Sequence, residues 1–126
     1  MKTILTVVLL TLGLSASAQN MLSDGYIIVD KEGNKTKIDT KVGAVFHDEG
    51  LTVYEGDSVT AYTIIDKSSM GKVVLYGIEF SLFQFELNGK EVIVAVTKAK
   101  NGIVTVINDG VVSKVYYFKQ SKIEQI

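Results

Sequence analysis

From Gly25 onward, apolar and polar positions alternate in short runs, and glycine-bearing turn signals separate the runs. The runs occupy 26–30, 36–39, 42–47, 51–55, 58–66, 72–78, 80–87, 91–98, 103–107 and 111–119. Between them stand EGN, DEG, EGD, SSMG, NG, KNG and NDG, which supply residues that tolerate the positive φ of tight hairpin turns. A period of two, rich in β-branched and aromatic residues, predicts strands. No segment sustains a 3.6-residue period long enough to predict a helix. The chain has no proline, which suits central strands.

One hairpin can be read in register. A two-residue turn at Asn88-Gly89 sets Leu87 opposite Lys90, Phe85 opposite Val92, Phe83 opposite Val94 and Ser81 opposite Val96. That face is apolar and belongs to the core. The other face sets Glu86 against Glu91, Gln84 against Ile93 and Leu82 against Ala95, with the two glutamates at an exposed tip. In VVLYGIEF, apolar residues occupy both faces, and Gly77 there signals a bulge or bend.

Short loops make neighbours in sequence neighbours in space. The fold class expected is therefore all-β: an antiparallel meander of about eight to ten short strands closing into a small barrel or strongly curled sheet. A two-layer β-sandwich is the alternative. An interior of ~8 strands either fills with side chains or holds one small ligand. A membrane-spanning barrel needs strands of ~9–11 residues and longer loops at one end, so a soluble barrel fits these runs better.

The first residues follow another pattern. Lys2, an apolar run from Ile4 to Leu14 and the small triplet Ala16-Ser17-Ala18 form a cleavable signal peptide in the expected order. The run is short of the ~20 residues a membrane-spanning helix requires. The expected division is a signal peptide at 1–18, a lead-in at 19–24, one all-β domain at 25–119 and a tail at 120–126. Cleavage near Ala18-Gln19 sends the chain to the periplasm or outside, with no membrane span in the mature chain.

Charge and cysteine content narrow the chemistry. Cleavage removes Lys2, leaving 12 of the 13 basic residues against 14 acidic ones, and every basic residue is lysine. Without arginine's planar fork, a near-neutral surface argues against nucleic acid. The chain has no cysteine, so thiol catalysis, thiolate metal sites and disulfides are excluded, and stability must come from a core.

Candidate chemistry is sparse. VFHDEGLTVYEGD, residues 45–57, holds the single histidine, His47, among four carboxylates. Two hairpin turns account for the stretch, with a three-residue loop Asp48-Glu49-Gly50 pairing His47 with Leu51 at the rim. DKEGN, Asp30 to Asn34, resembles a calcium loop but lacks its length and distal glutamate. No G-x-S-x-G or phosphate-binding glycine loop occurs, and no metal or cofactor is expected. The aromatic clusters Tyr76, Phe80, Phe83, Phe85 and Tyr116, Phe118 are either core or the lining of a site for an apolar molecule. With His47 they form the candidate ligand-binding set. The expected function is a non-catalytic, exported barrel-like protein that binds a small apolar ligand or peptide. The alternative is a structural or interaction protein of the cell envelope with a filled core.

Overall fold

The computed structural model describes residues 19–120, apart from the side chains of 19, 20, 66–70 and 120. The expected leader, 1–18, and residues 121–126 of the expected tail lie outside the described residues. The described residues form ten strands: β1 Gln19–Ser23, β2 Tyr26–Val29, β3 Lys35–Ile38, β4 Val42–His47, β5 Gly50–Glu55, β6 Ser58–Leu75, β7 Ile78–Leu87, β8 Lys90–Ala99, β9 Gly102–Asn108 and β10 Ser113–Gln120. Each pairs antiparallel with its neighbours, in the order β1-β4-β5-β6-β7-β8-β9-β10-β2-β3. β10 also pairs with β1, through Met21 with Gln120 and Leu22 with Lys119. The ring from β1 through β4–β10 and back is a closed barrel of eight strands, not a two-layer sandwich.

The meander follows from the turns. Because hairpins join successive strands, each loop returns the chain to the opposite end of the barrel. One end carries the loops at 30–34, 56–57, 88–89 and 109–112, and the other those at 48–49, 76–77 and 100–101. In the two acidic loops of the first end, an aspartate caps the turn. Asp30 accepts backbone N–H bonds from Glu32 at 3.0 Å and Asn34 at 2.8 Å. Asp109 likewise accepts from Val111 at 2.8 Å and Val112 at 3.0 Å. Asp30 of the calcium-like DKEGN is thus engaged with its own backbone, whose amides, Asn34 first, hold its carboxyl below the usual range.

Strand alternation decides the inside. Val42, Ala44 and Phe46 of β4 face inward, as do Leu51 and Val53 of β5, Phe83 and Phe85 of β7, Val92, Val94 and Val96 of β8, and Ile103 and Ile107 of β9. Phe46, Phe83, Phe85 and Phe118 retain at most 2% of their surface for water, so no void of water size adjoins them and the middle of the barrel is filled. A second cluster, Phe80, Ala95 and Val106, packs on the opposite face of the same strands, with Val73, Leu75, Leu82, Val104 and Val115 around it. The sheet is therefore apolar on both faces between β6 and β10.

The β7–β8 hairpin has the register that Asn88-Gly89 predicts, from Leu87 with Lys90 to Ser81 with Val96. Asn88 and Gly89 both take positive φ, 54° and 79°, as a type I′ turn requires. The opposed Glu86 and Glu91 sit at the exposed tip, where the Gln84 amide donates to Glu91 at 2.6 Å.

Four local readings change. Residues 19–23, taken as lead-in, form β1, the strand that closes the ring. Gly77 marks no bulge within a strand: Tyr76-Gly77, with φ of 55° and 77°, is the hairpin turn between β6 and β7. SSMG does not end a strand. It lies in the long β6, where pairing with β7 shifts register between Ile64 and Gly71. Finally, Asp48-Glu49 is a two-residue turn, so His47 pairs with Gly50 and Phe46 with Leu51. Gly50 is needed there for close approach rather than for the turn, since a Cβ would stand 1.9 Å from the Tyr62 carbonyl oxygen.

Two substitutions test this account. At Gly102 a Cβ would stand 2.1 Å from the Phe118 carbonyl oxygen, inside the β9–β10 ladder. Gly102→Ala should therefore lower the unfolding free energy by about 3 kcal/mol, the upper part of the overpacking range, measured by urea denaturation. Tyr76 holds a left-handed backbone that Asn adopts more readily. Tyr76→Asn should raise stability by about 0.5–1 kcal/mol in the same assay.

Candidate functional site

The seven aromatic and histidine positions singled out from sequence do not share one surface. Phe83, Phe85, Tyr116 and Phe118 are interior, at 0–2% exposure, while Phe80 is buried in the second cluster on the outer face. Tyr76 stands at an exposed hairpin tip at the far end. His47 is on the outer face at that same end. There its Nδ1 accepts the Glu49 N–H at 3.3 Å, and its Nε2 lies 2.9 Å from the Thr52 hydroxyl. With Nδ1 accepting, the neutral ring carries its proton on Nε2 and donates to Thr52. Both ring nitrogens are thus engaged within the hairpin. Among the described residues, no three His, Cys, Asp or Glu side chains come together to hold a metal.

Two other places have the geometry of a site. The first is the mouth of the barrel at the end carrying the Gly56-Asp57 and Asp109–Val112 loops. Inward alternation brings Tyr26 of β2 opposite Tyr116 of β10, and Glu55 of β5 opposite Val42. Tyr62 enters from β6, opposite Leu51. The Tyr26 hydroxyl donates to the Glu55 carboxylate, at 3.0 and 2.9 Å from its two oxygens. The Tyr26 and Tyr116 rings lie 4.8 Å apart, tilted by 30°, and Tyr116 stacks on Phe118 at 4.9 Å. Phe118 meets Phe46 edge-on at 6.4 Å. One aromatic column thus descends from the mouth into the filled core.

Burial and carboxylates set the electrostatics of the mouth. Burial, then the hydrogen bond and charge of Glu55, push the Tyr26 phenol up to about 12. Burial, with the Asp109 charge, raises Tyr62, and burial raises Tyr116 beside Tyr62, Tyr26 and Glu55. Burial alone would raise Asp109, but the Val112 and Val111 amides, with Lys114 and Lys90, hold it below its usual range. The phenols thus face the Glu55 and Asp109 carboxylates, with Lys114 and Lys90 beside Asp109.

The second place is a groove of about 560 Å³ on the barrel wall, where β1 gives way to β2 at Asp24-Gly25. Across that step, pairing with both β10 and the β3–β4 side slips by one residue, a bulge. Gly25 is forced, because a Cβ would meet the Ile38 carbonyl oxygen at 2.5 Å. Ile27, Val104, Val115 and Tyr117 supply the apolar lining. The Lys119–Asp24 pair at 3.2 Å and the Lys37–Asp39 pair at 3.7 Å supply the charged positions.

Of these residues, the candidate ligand-binding set read from sequence holds Tyr116 and Phe118, and Glu55 is read there as a turn carboxylate. Tyr26, Glu55 and Tyr62 are far apart in the chain and meet only once the strands are in register. Each sits at an inward position of its strand, but only Glu55 adjoins a turn, so alternation alone does not group them. The groove depends on the bulge at Gly25, and no strand had been assigned before that residue.

The phenols give the mouth a pH signature. The unfolded chain releases tyrosine protons near pH 10, whereas folded Tyr26 holds its proton to about 12. The unfolded state thus binds fewer protons in that window, so stability is fully present below about pH 10 and falls as pH rises through 12. Urea midpoints at about pH 9 and about pH 11.5 should show this decline, and Tyr26→Phe should reduce it. An equal decline in the variant would show that Tyr26 is not its source.

No family model, curated protein or solved structure matches the chain, so the roles of the groove and the mouth are argued from their own chemistry.

Proposed function

We propose that the protein is an exported, non-catalytic binding protein that holds a small apolar molecule in the groove at the β1–β2 bulge. The observation that carries this reading is an apolar lining formed by Ile27, Val104, Val115 and Tyr117 in a groove of about 560 Å³. That volume falls within the range of small-molecule sites, ~300–1,000 Å³. Each charged pair at the groove is neutral in itself, so the site has no spare charge to match an ionised ligand. Exposed pairs of this kind contribute little to stability, and they can open to admit a guest.

The filled interior bears on where the ligand goes. With Phe46, Phe83, Phe85 and Phe118 sealed against one another, an internal ligand would have to displace core side chains. The wall offers apolar surface without that cost. Export rests on the leader pattern of 1–18. The non-catalytic reading rests on an inventory in which the single histidine is bound within its own hairpin. Among the described residues, no helix is long and apolar enough to cross a membrane.

A panel of long-chain alcohols and esters tests the groove by thermal denaturation. A binder should raise the melting temperature as its concentration rises, by about 2.7 kcal/mol of added stability at a hundredfold excess over Kd. Ile27→Asp, at a partly exposed position, should abolish the shift while the free protein still unfolds cooperatively. No shift across the panel would favour the envelope-structural alternative, and a shift only with extended peptides would make a peptide the occupant. Mass spectrometry of exported material should find Gln19 as the first residue.

A further inference from the structure

We propose that the tyrosine-lined mouth is a second binding site, on the inner side of the strands whose outer side carries the groove, with Tyr26 and Tyr116 bordering both; its ligand is a small organic cation of the alkylammonium class. Glu55 is inward-facing and only partly exposed, and its carboxylate is hydrogen-bonded by Tyr26. Among the described residues no lysine forms an ion pair with it; the ion pairs present are Lys37–Asp39, Lys72–Glu79 and Lys119–Asp24. A partly desolvated carboxylate without a cation is an unusual thing for a fold to keep. An ammonium ligand would complete it.

A second observation points the same way. Tyr62 and Tyr116, 7% and 2% exposed, bring two further phenols beside Tyr26. Beside Tyr116 on β9, Thr105 faces inward, and its hydroxyl is fully buried with no partner. Buried hydroxyls are normally satisfied, by protein or by a bound molecule. Here one of them, on Thr105, stands behind the carboxylate-bearing end of the barrel.

Ligand class follows from the combination. Aromatic faces attract a cation through the ring quadrupole, and the attraction strengthens where water is excluded. Metal ions such as Ca²⁺ prefer six to eight oxygens, whereas the mouth offers one carboxylate and neutral phenols. Anions are disfavoured by Glu55 and Asp109, the charges that keep these phenols protonated. A compact ammonium ion meets both elements at once: the carboxylate satisfies its charge and the Tyr26 and Tyr62 rings its methyl or methylene surface, since Tyr116 is stacked between Tyr26 and Phe118.

The test uses the mature chain with tetramethylammonium chloride as probe. Sodium chloride at matched ionic strength and tert-butanol, a neutral molecule of similar shape, are the controls. The chain has no tryptophan and six tyrosines, three of them at the mouth, so its intrinsic fluorescence comes from tyrosine and nuclear Overhauser contacts localise the response. Tetramethylammonium should give a saturable change that neither control reproduces. Glu55→Gln keeps an acceptor for Tyr26 and should weaken that binding at least about tenfold. In the unmodified protein, nuclear Overhauser contacts should run from the probe's methyl protons to the rings of Tyr26, Tyr62 or Tyr116. This readout needs no variant to fold. Equal responses to the controls, undiminished affinity in Glu55→Gln, or contacts only to other tyrosines would each overturn the proposal. Ile27→Asp, which tests the groove, should leave the ammonium response unchanged, so failure at one site is distinguishable from failure at the other.

Discussion

Ring closure through β1 is the constraint on which the rest of the structure depends. Five residues, Gln19–Ser23, pair with β4 on one side and with β10 on the other. Without them β4 would be an open edge and β10 would keep only its pairing with β2 on that side, and Phe46 and Phe118 would lose Met21 from the wall that seals them. Closure has a steric condition of its own. The first strand must serve β10 along β2 and then along β1, and the geometry changes between the two. The bulge at Asp24-Gly25 absorbs that change, and only glycine lets the backbone approach Ile38 closely enough. The groove is a by-product of the same step, so the device that shuts the barrel also opens its wall.

How much of this was legible from sequence depended on how local the cause was. Asn88-Gly89 specifies a turn by backbone preference alone, and every partner from Leu87 to Val96 followed. The meander was legible for the same reason, since short loops leave few other topologies. β1 was not legible. Residues 19–23 show no strong alternation, and what makes them a strand is the pair of edges waiting on either side. In β6, SSMG looks like punctuation, yet β7 runs alongside and holds the strand through its register shifts. His47 was correctly read as part of a hairpin, but its partner was shifted by one residue. The role of Gly50 is set by the Tyr62 carbonyl on a neighbouring strand, a contact no local rule contains.

The aromatic residues show the difference between composition and position. Clustering in sequence suggested a common lining, but alternation divides such clusters between two faces. Phe80 and Phe83, three residues apart, end on opposite sides of one strand, while Tyr26 and Tyr116, at opposite ends of the chain, lie 4.8 Å apart. Side chains that act together in a closed meander share a level along the barrel axis, not a stretch of sequence. Inward side chains that reach the same level are therefore natural groups, and Tyr26, Glu55, Tyr62 and Tyr116 form one.

Stability alone does not explain that group. Valine at 105 would fill the same volume as threonine without burying a hydroxyl that lacks a partner. An apolar residue at 55 would extend the core toward the mouth and remove a half-buried charge. Elsewhere the same barrel packs phenylalanine against phenylalanine with nothing left over, so its sequence can build a dry interior where one is wanted. Departures from local consistency tend to mark functional positions. In this barrel a carboxylate without an ion pair among the described residues and an orphan threonine lie within one aromatic wall. That concentration is what distinguishes a site from scattered imperfection.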